Sequence, residues 1–165
     1  YESNQSYFYS AGVCLNPIED TTRYLPPAII FPFLNDQHAE FEDKMINDYQ
    51  QNTREIAETL IDNHDLNIQI NGYTSTPGDS LYNQQLSAER ANTVRDFIIE
   101  QIKAIYEANG RTYTFNESRI RVNTFGEDPR YLIEQNDNDL INDDETGRES
   151  KQAKNRRVEV EFIYD

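Results

Sequence analysis

A chain of 165 residues is one ordinary domain, long enough to bury about 70% of the surface that its unfolded form would expose. Thirty acidic residues against fifteen basic ones leave a formal charge of −15, which argues against nucleic acid and anionic membranes as partners, since both are held by clustered Lys and Arg. No window approaches the roughly 18 to 20 consecutive apolar residues of a membrane span, and Cys14, the single cysteine, permits no disulfide within the chain and reads as an unmodified thiol.

Residues 1–27 are polar and aromatic by turns, with Pro17, Pro26 and Pro27, and show no sustained period. They read as an extended leader, a strap or a linker to an anchor that lies outside the sequence. The apolar run AIIFPF at 28–33 predicts a strand, where Pro32 implies an edge or a strand end. Asn35 or Asp36 can cap the helix that follows, and Phe41, Met45, Tyr49, Ile56 and Leu60 give it an apolar stripe reaching about residue 62. In DLNIQING the period becomes two, with Leu66, Ile68 and Ile70 on one face and Asn67, Gln69 and Asn71 on the other, as in a strand with one wet face.

A turn rich in Ser, Thr, Pro and Gly leads into a second helix, for which Asn83 or Ser87 is a candidate cap. Its stripe is Leu86, Ala91, Val94, Ile98, Ile102 and Ile105, and Asn109-Gly110 ends it. A cation, Arg90, sits four residues from both Leu86 and Val94 and so falls on that stripe. Alternation returns at Ile120, Val122 and Thr124 and again at Val158, Val160 and Phe162. Residues 126–155 between them read as a long polar loop whose acidic centre, EQNDNDLINDDE, is solvated. The order strand, helix, strand, helix, strand, strand predicts an α/β fold with a mixed sheet and both helices on one face.

Catalytic templates are missing: no glycine-rich phosphate loop, serine-nucleophile elbow or metal-binding His/Cys spacing occurs, and His38 and His64 each stand alone. The acidic loop lacks the glycine and ligand spacing of a calcium-binding EF-hand. The chain is therefore read as a non-enzyme with no metal and no cofactor.

One group of motifs carries a resemblance. GYT at 72–74, Gly78 and YNQQLSAERANTV at 82–94 are similar to the signature of the OmpA-like (OmpA/Pal/MotB) peptidoglycan-binding domain. IIFPF, FGEDP at 125–129 and GRESKQAKNRRVEVEF at 147–162 extend the resemblance over roughly residues 28–164. It implies the family's β-α-β-α-β-β arrangement for residues 28–165 and non-covalent binding of peptidoglycan.

In that reading Arg90 grips a carboxylate of diaminopimelate in the stem peptide, a planar group suited to its guanidinium fork. Placed in the first turn of a helix capped at Asn83 or Ser87, it would also gain from the helix dipole. Thr74, Ser75, Asp79, Asn83, Leu86 and Asn35 complete the implied binding residues, and Arg156 is the brace of the last strand. Two positions depart from the pattern. Where the family carries an aspartate for the ligand's ammonium, this chain has Ser75, with Asp79 as a nearby substitute. Where it often carries an acid after the first strand, Leu34 stands, with Asn35 and Asp36 following.

The resemblance further implies a periplasmic domain of a membrane-anchored Gram-negative protein, with peptidoglycan, an inner-membrane partner complex and a second copy as partners. A MotB-like stator or secretion-energising subunit fits that description. The alternative is a scaffold that keeps the fold for protein contacts and has weak or no affinity for the wall.

Overall fold

The computed structural model describes residues 23–164. Cys14 and most of the leader lie outside the described residues, so neither reading is tested there. Four strands form one sheet in the order β1-β4-β2-β3, where β1 is Ile29–Pro32, β2 Leu66–Tyr73, β3 Ile120–Gly126 and β4 Arg157–Tyr164. The strand made last is central. It runs antiparallel to β1, with Phe31 opposite Val158, and antiparallel to β2, with Ile70 opposite Val160, whereas β2 and β3 are parallel. Pro32 lies at the end of an edge strand, where the ladder has no use for the N–H it lacks.

Two helices cover one face, α1 (Ile46–Asp62) and α2 (Ser80–Ala108). The core between helices and sheet contains Phe31, Tyr49, Ile56, Leu60, Ile68, Ile70, Val94, Ile98, Ile102, Val158 and Val160, all essentially without exposure. The α2 stripe read from sequence is therefore the buried one. Gly72 sets how closely α2 approaches the sheet: a Cβ there would lie 2.1 Å from the Ser87 carbonyl oxygen, so only glycine fits between strand and helix. The opposite face is polar but not fully wet. Asn67 and Asn71 are buried on it, and the Asn123 amide donates to Asn71 Oδ1 at 3.0 Å and to Gln69 Oε1 at 3.3 Å.

Two helix starts differ from the sequence reading. Neither Asn35 nor Asp36 caps α1, which begins ten residues later, after a 3-10 turn at Asp43–Met45. Asn35 Oδ1 accepts the Gln37 N–H at 2.8 Å and stabilises a local turn instead. Phe41 precedes the helix and stacks on Tyr49, with ring centroids 3.8 Å apart. The second helix begins at Ser80, and its cap is Asp79, whose carboxylate accepts the Tyr82 N–H at 3.0 Å; neither Asn83 nor Ser87 caps it. At its far end Asn109 closes the helix and Gly110 takes a positive φ of 64°, as read.

The stretch 126–155 is not one loop. It holds a 3-10 turn at Pro129–Tyr131 and a third helix, α3 (Glu145–Asn155), capped by Asp144 accepting from the Gly147 N–H at 2.8 Å. Only Asn155 of α3 is buried, so the helix carries no apolar stripe from which to read it. The segment before it is bolted down. Asp137, fully buried, accepts the Thr76 N–H at 3.1 Å, the Thr76 hydroxyl and the Asn155 amide at 2.8 Å. The Asn155 oxygen in turn accepts the N–H groups of Ile133 and Glu134 at 2.8 and 3.0 Å.

The described end of the leader runs past the ends of the central strands β2 and β4, where Leu66 faces Tyr164. The Arg23 guanidinium lies 3.7 Å over the Tyr164 ring and 2.5 Å from the Asp65 carboxylate, and the Tyr164 hydroxyl donates to the Tyr24 carbonyl at 2.8 Å. No described helix is long and apolar enough to cross a membrane.

Candidate functional site

Arg90 points inward from α2 and is completely buried. Its Nε donates to the His38 carbonyl at 3.2 Å and one terminal nitrogen to the Asn35 carbonyl at 2.7 Å, and its guanidinium stands 5.3 Å from the centre of the Phe33 ring. No carboxylate pairs with it among the described residues, and Nη1 has no partner there. Burial, and next the positive charge of Arg156, lower its pKa to about 10. Because α2 begins at Ser80, Arg90 lies almost three turns inside the helix. The dipole acts over the first turn, so that expected contribution is lost.

Arg156 approaches the same segment from the opposite side. It is 1% exposed, its Nε donates to the Phe33 carbonyl at 3.2 Å, and Nη2 meets the Glu149 carboxylate. The Phe33 N–H returns a bond to the Arg156 carbonyl at 2.9 Å, so this arginine ties the chain after β1 to the start of β4. Its Nη1 also lacks a partner. Among the described residues the buried side-chain atoms left without any partner are Arg90 Nη1, Arg156 Nη1 and Thr74 Oγ1. A buried polar atom without a partner costs roughly 1 to 3 kcal/mol, more when charged.

Ser75, next to Thr74, and Asp36 and Gln37, between the two residues whose carbonyls accept from Arg90, line an open cleft of about 480 Å³. Asp36 and Gln37 line it from the segment after β1, Ser75, Pro77 and Gly78 from the β2–α2 turn, Tyr82 and Asn83 from α2, and Gln152 from α3. The Tyr82 hydroxyl donates to the Gln37 carbonyl at 3.3 Å across it. Gly78, with φ of 103°, makes the turn possible.

The implied binding residues fall into three groups. Ser75 and Asn83 line the cleft; Thr74, buried, precedes Ser75 with its hydroxyl unpaired. Arg90 and Leu86 are buried, and Asn35 contributes its carbonyl to Arg90 rather than a side chain to the cleft. Asp79 is the cap of α2, its carboxylate committed to the Tyr82 N–H. Asn83 donates to Glu127 at 2.6 Å and to the Pro77 carbonyl at 3.1 Å. Of the acids, Asp36 alone lines the cleft. Gln152 and Asp137 were not singled out in sequence. Asp137 meets Thr76 across 61 positions, a contact with no local signal, and Gln152 lies on the polar helix.

Two buried guanidinium groups thus lie near an open cleft between the segment after β1 and the start of α2 in a four-stranded mixed sheet covered by helices. Residues 41–157 match the model of the OmpA family, and the chain belongs to that family. β1 lies ahead of the matched residues and completes the sheet. The fold resembles the crystal structure of the peptidoglycan-associated lipoprotein from Burkholderia pseudomallei, at 20% identity and a TM-score of 0.58 over 81% of this chain and 89% of that one. It also resembles the C-terminal domain of Helicobacter pylori MotB, at 20% identity and 0.55 over 83% and 85%. The OmpA-like domain of FopA1 from Francisella tularensis aligns at 19% identity and 0.51, covering 82% and 70%. No curated protein sequence matches the chain.

Proposed function

We propose that this domain binds peptidoglycan without chemistry, Arg90 taking a carboxylate of the stem peptide's diaminopimelate. The observation that carries the reading is the pair of buried arginines, each with one unpartnered nitrogen and, among the described residues, a carboxylate, Glu149, paired with Arg156 and none with Arg90. Arg90 is roofed by the carbonyls of Asn35 and His38 in a segment without regular structure. A ligand carboxylate reaches it when residues 34–40 swing outward, replacing two neutral acceptors with a charged, bidentate one. Family membership and the fold shared with a peptidoglycan-associated lipoprotein support the reading.

The ligand's ammonium then faces Ser75, which accepts a hydrogen bond but brings no charge, and Asp36, the acid in the cleft wall. The protein is read as a periplasmic, membrane-tethered one, with residues 1–27 as the linker to an anchor and a MotB-like complex as its setting. The neutral Ser75 favours a second reading, a scaffold for protein contacts with little affinity for the wall.

Cosedimentation of the full chain with purified sacculi, beside Arg90→Met, separates the two. Binding by the parent and its loss in a variant with unchanged melting supports the wall reading. Equal retention of both proteins refutes Arg90 as the ligand group, and no retention of the parent leaves the scaffold.

A further inference from the structure

Asn83, in the first turn of α2, lines the cleft and is only 4% exposed. Its amide nitrogen is fully committed, donating to the Glu127 carboxylate at 2.6 Å and to the Pro77 carbonyl at 3.1 Å. Its oxygen, Oδ1, accepts no hydrogen bond among the described residues, yet it is not one of the buried orphan atoms, so the little of Asn83 that meets solvent includes that oxygen. The hydroxyl of Ser75, 6% exposed, is likewise unbonded and open to the cleft. We propose that Glu127 is a positioning residue: it fixes the Asn83 amide with its oxygen turned to the cleft, and so makes that wall a seat for a primary ammonium group. The proposal rests on reading the cleft as the ligand site, and it names the residue that sets the selectivity there.

An asparagine amide can present either end to a ligand, and its neighbours decide which. Turned over, Asn83 would set Oδ1 against a carboxylate and a carbonyl, both acceptors, and would lose one charge-assisted hydrogen bond and one neutral one. Glu127 therefore locks the amide in one sense. Linked hydrogen bonds polarise one another, so a negative charge drawn against the amide nitrogen makes Oδ1 a stronger acceptor. The next cation along the chain, Arg130, does not neutralise that charge, being paired with Asp128 at 2.6 Å. The turn carrying Glu127 is also fixed in advance. The Thr74 N–H donates to the Gly126 carbonyl at 2.8 Å, the Asp128 N–H to the Phe125 carbonyl at 3.0 Å, and the Gly126 N–H to the Ser87 hydroxyl of α2 at 3.1 Å.

A cation in the cleft meets Asn83 Oδ1, the Ser75 hydroxyl and, from the segment after β1, the Asp36 carboxylate, with Glu127 one amide behind. None of the lining residues is basic. An ammonium carries an N–H for each of these acceptors, whereas a hydroxyl can donate once. A carboxylate would meet acceptors alone, in the field of a chain of charge −15. This wall thus sorts the two charges of a zwitterionic ligand, turning its amine here and leaving its carboxylate to Arg90.

The test titrates the isotopically labelled full chain at about 0.15 M salt, where general attraction between a small cation and the acidic surface is screened. n-Butylammonium should shift the resonances of Ser75 and of the Asn83 side-chain amide, and n-butanol should not. Glu127→Ala should abolish those shifts with little change in melting, and Arg90→Met should keep them. With a diaminopimelate stem peptide, the parent should prefer the free amine to the same peptide acetylated there by about tenfold. Glu127→Gln, which keeps an acceptor for Asn83 but no charge, should lower that preference to about threefold, and Glu127→Ala should erase it by weakening the free-amine peptide alone. Absent shifts in the parent, equal shifts from butanol, or an undiminished preference in Glu127→Ala overturns the proposal. Equal weakening of both peptides does so too, since a merely structural role would act on both. Binding of neither peptide by the parent, with the butylammonium shifts intact, refutes the Arg90 reading and not this one.

Discussion

Replacing Arg90 with methionine should nearly preserve the stability of the ligand-free domain and remove its affinity for the wall. Methionine keeps the unbranched stem and much of the volume, so no large cavity opens. Holding the charge inside costs the fold about 3 kcal/mol, from a pKa lowered from 12.5 to about 10 at roughly 1.4 kcal/mol per unit. Against this stand the two bonds to the carbonyls of Asn35 and His38, each contributing about 1.5 kcal/mol when the freed acceptors can rehydrate, as they can in a surface segment.

The two sums nearly cancel, and the expected change is within about 1 kcal/mol. For a domain of this size that is at most a few degrees in melting temperature. The sign with pH also follows. A folded pKa below the unfolded one means that the penalty is complete below about pH 10 and is relieved as pH rises from there towards 12.5. At neutral pH the variant escapes the whole penalty. Calorimetric melting with sacculus binding reads both quantities. A drop of more than about 3 kcal/mol would refute the reasoning, because it would make Arg90 a structural brace, as Arg156 is with its Glu149 partner.

If the cleft lacks one charge for the ammonium, Ser75→Asp should raise affinity for a diaminopimelate-containing stem peptide about five- to 150-fold by isothermal titration, and not for the peptide acetylated at that amine; a flat result returns weight to the scaffold. The new carboxylate would sit one residue from the bond between Thr76 and buried Asp137, so the ligand-free variant should lose stability relative to the parent as pH rises above about 4. Gly72→Ala should lower stability to urea by about 2 kcal/mol or more, since the added methyl meets the Ser87 carbonyl; a neutral result would show that α2 can lift off the sheet freely. Asp137→Ala should speed hydrogen exchange at the Thr76 amide and cost roughly 3 kcal/mol, having stripped partners from Thr76 and Asn155. Sacculus binding should hold or strengthen from low salt to about 0.15 M, where an 8 Å Debye length screens the repulsion between a −15 chain and wall carboxylates; a steep loss would reveal a basic contact surface.

Elements with an apolar period were legible and those without one were not. The alternation of Leu66, Ile68 and Ile70 and the stripe from Leu86 to Ile105 each mark a surface that must be covered, and both are covered. The first turn of α2, Ser80 to Asn83, leaves its Leu81 and Tyr82 exposed, and α3 has no large apolar residue, so neither extends a buried stripe that the sequence would show. Their signals are caps, Asp79 and Asp144, which look like any other acid in a chain with thirty. The same holds for the site. Arg90 stood out because a cation on an apolar stripe breaks the local pattern. The bonds of Asp137 to Thr76 and Asn155 obey no spacing, because loop closure across the fold sets them.

The position of β4 at the centre of the sheet has a consequence for how the molecule comes into being. Ile29 pairs with Val160, 131 residues away, and until Arg157–Tyr164 has been synthesised neither β1 nor β2 has its antiparallel neighbour. An incomplete chain cannot lay down the sheet from one end, and its two earlier strands present open edges throughout synthesis. Such long-range pairing makes folding slow relative to a helical bundle of equal size and defers it until β4 has been made. A nascent polypeptide of this kind stays unpaired long enough to be handed on by a chaperone, and loss of Arg157–Tyr164 removes the keystone of the sheet rather than its margin.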